Sequence, residues 1–358
     1  MKSVVLTAPF KVEVQDRPKP EIKEPTDVIV RTSLAALCGS DLHQYRGHPV
    51  LPSYDFIMGH EVIGEVEEVG SAVKSFKKGD HVVSPFTISC GECRSCKWQQ
   101  TSRCSQSKLF GSPALDGAQA EYVRVPLAES TLYHAPEGVP EETLILMADI
   151  FPTGYFVTSN GLQLLSEPER AGATVVILGC GPVGLCAITS ATHLYGPDKV
   201  IAVDSVPERL AEAKKHGATH TIHLTEDNVA EKVKELTGGN GADVVCEVVG
   251  SPQALQLALD LVRPWGAISS CGVHSHEVAL PGGALYAKNV KLQFGRCPVR
   301  AVFKSALDYY QPSMDILVQH ADLFKSFVQH RVKPEQAPEF YEKFDKRQVL
   351  KTVFDFRA

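Results

Sequence analysis

Between residues 174 and 294 the chain alternates short, mainly apolar runs with amphipathic ones, and this alternation restricts the fold more than any other feature. The apolar runs are TVVIL, KVIAVD, THTIHL, ADVVCEVVG, AISSCGV and NVKLQF; among them lie VGLCAITSATHLYG, PERLAEAKKHGA, DNVAEKVKELTG and PQALQLALDLV. A strand that is apolar along its length is covered on both faces, and parallel neighbours are joined by a crossover that is usually a helix. Six strands with intervening helices or connections therefore predict an α/β domain with a parallel sheet. The flanks differ. Residues 1 to about 150 consist of short β-type runs cut by Gly and Pro, such as VIVRTSLAAL, EVIGEVEEVG, HVVSPF and AEYVRVP, and read as irregular β structure. From about 295 the pattern is helical and ends in a strand, VLKTVFDF, that could return to the first half. A chain of 358 residues is too long for one ordinary core, and 44% apolar residues are enough to fill two.

The first helix of the alternating region opens on a glycine motif. In TVVILGCGPVGLCAI, Gly179, Gly181 and Gly184 give G-x-G-x-x-G, with Pro182 and Val183 in the same turn. The motif alone is common, but here it follows a buried-type strand, and Asp204 closes the next strand twenty residues after Gly184. The first glycine makes the turn, the second lets the backbone approach a pyrophosphate, and the third packs helix on strand. Asp204 is placed to accept hydrogen bonds from ribose hydroxyls and to repel a 2′-phosphate, which favours NAD over NADP. Arg209 stands close in sequence and leaves NADP less favoured but open.

Cysteine spacing points to metal. Cys90, Cys93, Cys96 and Cys104 form C-x2-C-x2-C-x7-C, while the other six cysteines are scattered. Four thiolates at this spacing suit a closed tetrahedral Zn²⁺ with a structural role. The N-terminus, MKSVVLTAPFKVEVQ, carries no apolar leader, and no window approaches a membrane span of about 18 apolar residues. A cytoplasmic, reducing location is expected, in which a disulfide framework is the weaker reading. The net charge of −6, without a long basic run, excludes nucleic acid and anionic membranes as expected partners.

Two further segments carry chemistry: LCGSDLH, with Cys38, Ser40, Asp41 and His43, and MGHEVIGEVEEVG, with His60 and Glu61. Singly, Cys38 and His60 are ordinary core residues; together, beside a dinucleotide motif, they look like two ligands of an open catalytic zinc that needs a third.

The order LCGSDLH, GHEVIGEVEEVG, the four-cysteine loop, GCGPVG and VD resembles the zinc-dependent alcohol dehydrogenases of the medium-chain dehydrogenase/reductase superfamily. The resemblance covers nearly the whole chain. It implies a GroES-like catalytic domain from residues 1–150 and 295–358, with a Rossmann domain of residues 151–294 between them. It implies that Cys38 and His60 are zinc ligands, that Asp41 is the partner of the ligand histidine, that Glu61 is an occasional extra ligand, and that Ser40 and His43 relay a proton. Phe86 matches a residue lining the substrate pocket, and Thr153, Val273 and Phe294 match the nicotinamide pocket. Gly39 departs from relatives that place a basic residue beside the ligand cysteine. Many relatives carry the third zinc-binding cysteine four residues before a Thr-Gly pair; counting back from Thr153 and Gly154 gives Asp149, an exchange that looks like the glutathione-independent formaldehyde dehydrogenases, whereas polyol dehydrogenases carry a glutamate there.

The expected function is hydride transfer between NAD(H) and a small alcohol, aldehyde or ketone, with two zinc ions per chain. A sorbitol-type polyol dehydrogenase and a formaldehyde dehydrogenase or dismutase are alternatives within the enzyme class; a non-catalytic NAD- or zinc-binding relative is the alternative outside it. Zinc-free quinone reductases fit less well, because both cysteine features are kept. A homodimer or homotetramer is expected from the way relatives join their Rossmann sheets.

Overall fold

The structure is a computed structural model that describes residues 1–48, 51–275, 277–298 and 309–357. Its contacts divide the chain into two compact units, Met1–Asp149 with Pro298–Ala358, and Ile150–Cys297.

The unit Ile150–Cys297 holds the parallel sheet. Its six strands lie in the order His220–His223, Lys199–Asp204, Thr174–Leu178, Ala242–Glu247, Val262–Ser270 and Lys291–Phe294, all parallel. Counted along the chain this is 3-2-1-4-5-6, the doubly wound order with its switch point beside Thr174–Leu178. Every residue of that strand is buried. Because side chains alternate faces along a strand, Val175 and Ile177 pack with Ala187, Ile188, Leu210 and Ala213 on one side, while Val176 and Leu178 pack on the other in a cluster with Val233, Leu255 and Leu259. Helices Pro182–Ala191 and Pro207–Lys215 thus cover one face, and Val229–Leu236 and Pro252–Leu261 cover the other.

Two elements depart from the pattern read in the sequence. The helix expected over VGLCAITSATHLYG stops at Ala191, where the Thr192 hydroxyl turns back to the Thr189 carbonyl at 2.8 Å and competes with continued helix. The fifth strand starts before the AISSCGV run, at Val262, because Pro264, Trp265 (φ +63°) and Gly266 are accommodated in an irregularity of the ladder between Val262 and Ala267.

The other unit is built on antiparallel β structure. The long strand Val28–Leu37 pairs with Glu61–Val69 on one side and with the C-terminal strand Thr352–Asp355 on the other, in a sheet of seven strands. VLKTVFDF therefore does return to the first half. The register sets Thr352 opposite Leu37 and Glu61 opposite Ala36, so three strand ends meet immediately before Cys38.

Candidate active site

The loop of four cysteines contains one short helix, Arg94–Lys97, and brings the four sulfurs within 4.8 Å of one another. Cys90 Sγ lies 4.0 Å from Cys96 Sγ and 3.5 Å from Cys104 Sγ. Sulfurs about 2.3 Å from a tetrahedral zinc stand about 3.8 Å apart, so the set has the right size for the ion. Backbone N–H groups already point at the sulfurs: Cys93 N–H at Cys90 Sγ, and Cys90 and Gln106 N–H at Cys104 Sγ. Donors from the backbone of Cys96 and Ser105 draw the Cys93 thiol down to about 6, whereas burial pushes the Cys96 and Cys104 thiols up. A cation is what lets all four ionise together. All ten cysteines are free thiols, with no disulfide among them.

A second cluster forms where the strand ends meet. Cys38, His60, Glu61 and Asp149 each offer a ligand atom, again within 4.8 Å of one another. Cys38 follows Val28–Leu37 directly, His60 precedes Glu61–Val69, and Asp149 lies between the turn Ile145–Ala148 and the helix that starts at Ile150. The Phe86 N–H donates to the Ala148 carbonyl at 3.1 Å and fixes the approach of Asp149. Asp149 Oδ2 is 3.3 Å from His60 Nε2 and 3.8 Å from Cys38 Sγ. Edges of roughly 3.3–3.8 Å are those of a tetrahedron with Zn–N and Zn–O near 2.0–2.1 Å and Zn–S near 2.3 Å. The residues therefore fit a zinc ion.

The surroundings orient these ligands. Asp41 takes the His60 Nδ1 proton at 2.9 Å on Oδ1 and the Cys38 N–H at 2.9 Å on Oδ2, which leaves Nε2 aimed into the cluster. Ser40 Oγ stands 3.2 Å from that Nε2 and 3.4 Å from Cys38 Sγ. Burial opposes a positive charge on His60, but the Asp41 carboxylate and hydrogen bonds to Asp149, Asp41 and Cys38 outweigh it and raise its pKa well above that of an ordinary imidazole. Burial, and then the charge of Glu61, pushes the Cys38 thiol up. Three carboxylates around one imidazole and one thiol call for a cation.

Glu61 is held differently from Asp149. Its Oε2 accepts from Lys351 Nζ at 2.5 Å, with both side chains almost wholly buried, while its Oε1 is buried without a hydrogen-bond partner among the described residues, 3.9 Å from His60 Nε2. Lys351 precedes the C-terminal strand, and sequence reasoning missed it: the signal was one lysine in an otherwise apolar strand end, which by itself names no partner.

In the other unit the glycine motif stands at the switch point. Gly179 has φ +95°, and a Cβ on Gly184 would lie 1.9 Å from the Gly179 carbonyl oxygen, so neither turn nor helix approach tolerates a side chain. Among the described residues, a Cβ on Gly181 would meet nothing within 4 Å, and no side chain caps the helix Pro182–Ala191 that it precedes. An open cradle of uncapped N–H groups suits a pyrophosphate. Pro182 and Val183 form its first turn. Asp204 is buried and fixed by the N–H groups of Cys180 (2.7 Å) and Val206 (2.9 Å), with Arg209 Nη1 at 3.8 Å.

The remaining expected residues fall as follows. His43 lies in the short helix Asp41–Tyr45, of which Ser40 is the N-cap. Phe86 is buried, Thr153 sits near the start of Ile150–Gln163, and Val273 and Phe294 are exposed at the C-terminal ends of the last two strands. No helix of the described residues is long and apolar enough to cross a membrane.

Comparison with known proteins agrees with this architecture. Residues 24–137 match the alcohol dehydrogenase GroES-like domain, and residues 182–311 match the zinc-binding dehydrogenase family. The chain is 49% identical over 357 residues to zinc-type alcohol dehydrogenase B of Aspergillus flavus, covering 99% of this chain and 81% of that protein. It is 52% identical over 286 residues to the medium chain reductase/dehydrogenase ucsI of an Acremonium species, covering 79% of this chain and 97% of the relative. Among solved structures, the alcohol dehydrogenase TADH from Thermus sp. ATN1 superposes with a TM-score of 0.87 at 35% identity, over 99% of both chains. With a GroES-like β unit, a doubly wound nucleotide-type sheet and relatives this similar along its length, the chain belongs to the zinc-type alcohol dehydrogenases of the medium-chain dehydrogenase/reductase superfamily.

Proposed function

We propose that this chain is an NAD(H)-dependent alcohol dehydrogenase that holds one structural zinc on Cys90, Cys93, Cys96 and Cys104 and one catalytic zinc on Cys38, His60 and Asp149. The observation that carries the reading is the spacing of 3.3 Å and 3.8 Å from Asp149 Oδ2 to His60 Nε2 and Cys38 Sγ. Asp149 then replaces the third cysteine, the arrangement that resembles the glutathione-independent formaldehyde dehydrogenases. Glu61 is the competing ligand, and its pairing with Lys351 argues against it.

When bound, zinc is a Lewis acid that lowers the pKa of an alcohol hydroxyl. A bound nicotinamide would supply the hydride acceptor, so that an alcohol and NAD⁺ would give a carbonyl compound, NADH and one proton. The chain's own residues manage that proton. Ser40 Oγ, at the ligand cluster, both accepts and donates, and takes the hydroxyl proton. His43, three residues on at the same short helix, passes it to solvent. Asp41 keeps Nε2 of His60 turned to the metal throughout. Phe86 contributes an apolar wall for the substrate; Thr153, Val273 and Phe294 serve the nicotinamide end. Asp204 selects NAD over NADP, because both its oxygens are anchored to backbone and its charge cannot swing away from a 2′-phosphate. The strand Lys291–Phe294 ends the sheet with one side unpaired among the described residues, which supports edge-to-edge assembly into a homodimer or homotetramer.

The test combines absorbance at 340 nm, over a panel of primary, secondary, aromatic and polyhydric alcohols, with metal analysis. The wild type should reduce NAD⁺ and contain two zinc ions. Asp149→Ala should keep one and lose most activity, while Glu61→Ala should keep both. Metal retained in Asp149→Ala but lost in Glu61→Ala would move the third ligand to Glu61.

A further inference from the structure

At the C-terminal ends of Ala242–Glu247, Val262–Ser270 and Lys291–Phe294, a polar cluster stands that the reaction above does not use. Glu247 is fully buried. Its Oε1 accepts the N–H groups of Val249 at 2.8 Å and Gly250 at 2.6 Å, and its Oε2 accepts the Ser270 hydroxyl at 2.7 Å. His274 Nε2 lies 3.0 Å from Ser270 Oγ and 3.2 Å from Glu247 Oε2. Because Ser270 gives its one proton to the carboxylate, Nε2 faces two acceptors and carries the ring N–H. Nδ1 of the same ring is buried and has no partner among the described residues.

Around this buried carboxylate the surface is apolar. Val249, Val273 and Phe294 are 53%, 52% and 44% exposed, and the Phe294 ring meets His274 edge-on at 5.3 Å. Val249 and Val273 flank Gly250, whose φ of +81° and close approach to the Val273 backbone admit no side chain. Ligands of open α/β sheets bind outside the carboxyl ends of the strands, and this is such an end. Exposed apolar side chains there suit a flat ring, and a buried carboxylate beside them suits one that is positively charged.

We infer that Glu247, with His274 as the partner that tempers its charge, raises the affinity of this chain for the oxidised dinucleotide relative to the reduced one. The inference rests on the NAD(H) reading given above. The nicotinamide ring is a cation in NAD⁺ and neutral in NADH, while the rest of the molecule is the same in both. A carboxylate fixed by four donors in a low-dielectric surrounding distinguishes these two states and leaves the adenosine half untouched.

The experiment measures binding to the zinc-loaded protein rather than turnover. NADH is titrated by its fluorescence, NAD⁺ by displacement, and ADP-ribose, which lacks the ring, serves as the control. Glu247→Gln should lower the ratio Kd(NADH)/Kd(NAD⁺) about fivefold or more, mainly through weaker NAD⁺ binding, with ADP-ribose unchanged. His274→Lys, which sets a fixed cation against the carboxylate, should move the ratio the same way; His274→Asn should leave it unmoved or raise it. A structural role alone would not separate the lysine from the asparagine variant. If Glu247→Gln does not fold, the two His274 variants carry the test. NAD⁺ and NADH weakened equally by Glu247→Gln, or a ratio unmoved by His274→Lys, overturns the inference. A wild type that binds neither dinucleotide instead defeats the NAD(H) reading itself.

Discussion

Replacing Lys351 by methionine keeps the length of the side chain and removes one buried charge. The Nζ–Oε2 separation of 2.5 Å corresponds to about 6–7 kcal/mol of gross attraction at an effective dielectric constant near 20. Desolvation of both ions offsets much of this, and breaking such a pair by removing one partner costs about 3–5 kcal/mol because the other charge is stranded. Glu61 cannot escape to water, being fully buried, and its Oε1 already lacks a donor among the described residues. Metal-free Lys351→Met should therefore be about 3–5 kcal/mol less stable than the metal-free wild type in urea denaturation. Zinc should restore more stability to the variant than to the wild type, because a carboxylate released 3.9 Å from His60 Nε2 can turn to the metal. Occupying the open position would then suppress kcat. The double variant Lys351→Met/Glu61→Gln removes both charges and should recover most of the loss. A metal-free single variant within about 1 kcal/mol of wild type, or a double variant no better than the single, would refute the argument.

Three other outcomes follow from the same geometry. Cys93→Ser should remove one zinc by metal analysis and lower thermal stability before it lowers activity, because the loop has no core of its own. Asp204→Ala should narrow the NAD-over-NADP ratio of kcat/KM by about tenfold; an unchanged ratio would remove Asp204 from cofactor selection. His216 is buried against Thr189 at 2.8 Å, and burial pushes its pKa down to about 4. The unfolded chain binds that proton near pH 6.5 and the folded chain does not, so stability is complete above 6.5 and falls between 6.5 and 4, by on the order of 3 kcal/mol; chemical denaturation across that window should show a shallower slope in His216→Gln.

What the sequence disclosed was whatever is local. Gly179, Gly181 and Gly184 act within one turn, the four loop cysteines span fifteen residues, and the alternation of Val175 and Ile177 with Val176 and Leu178 follows from strand geometry alone. Asp149 was reachable only through resemblance, since an aspartate before a helix is otherwise an ordinary cap. Lys351 and Glu61 stand 290 positions apart, and only the register of the strands at whose ends they stand makes them neighbours. Glu247, Ser270 and His274 were hidden for the same reason: strand ends become adjacent only in the sheet.

The strand Thr352–Asp355, paired to Val28–Leu37, gives synthesis of this chain an order. The nucleotide-type unit is continuous in sequence, Ile150–Cys297, and can fold once it has left the ribosome, while the unit that encloses it in sequence stays open until the strand Thr352–Asp355 emerges. Lys351 is made 290 positions after Glu61, so until it emerges Glu61 lacks the ammonium partner that it has in the folded chain. Chains stalled on the ribosome at residue 340 should show a protease-resistant 150–297 segment and an unprotected N-terminal unit; equal protection of both would show that the closing strand is dispensable.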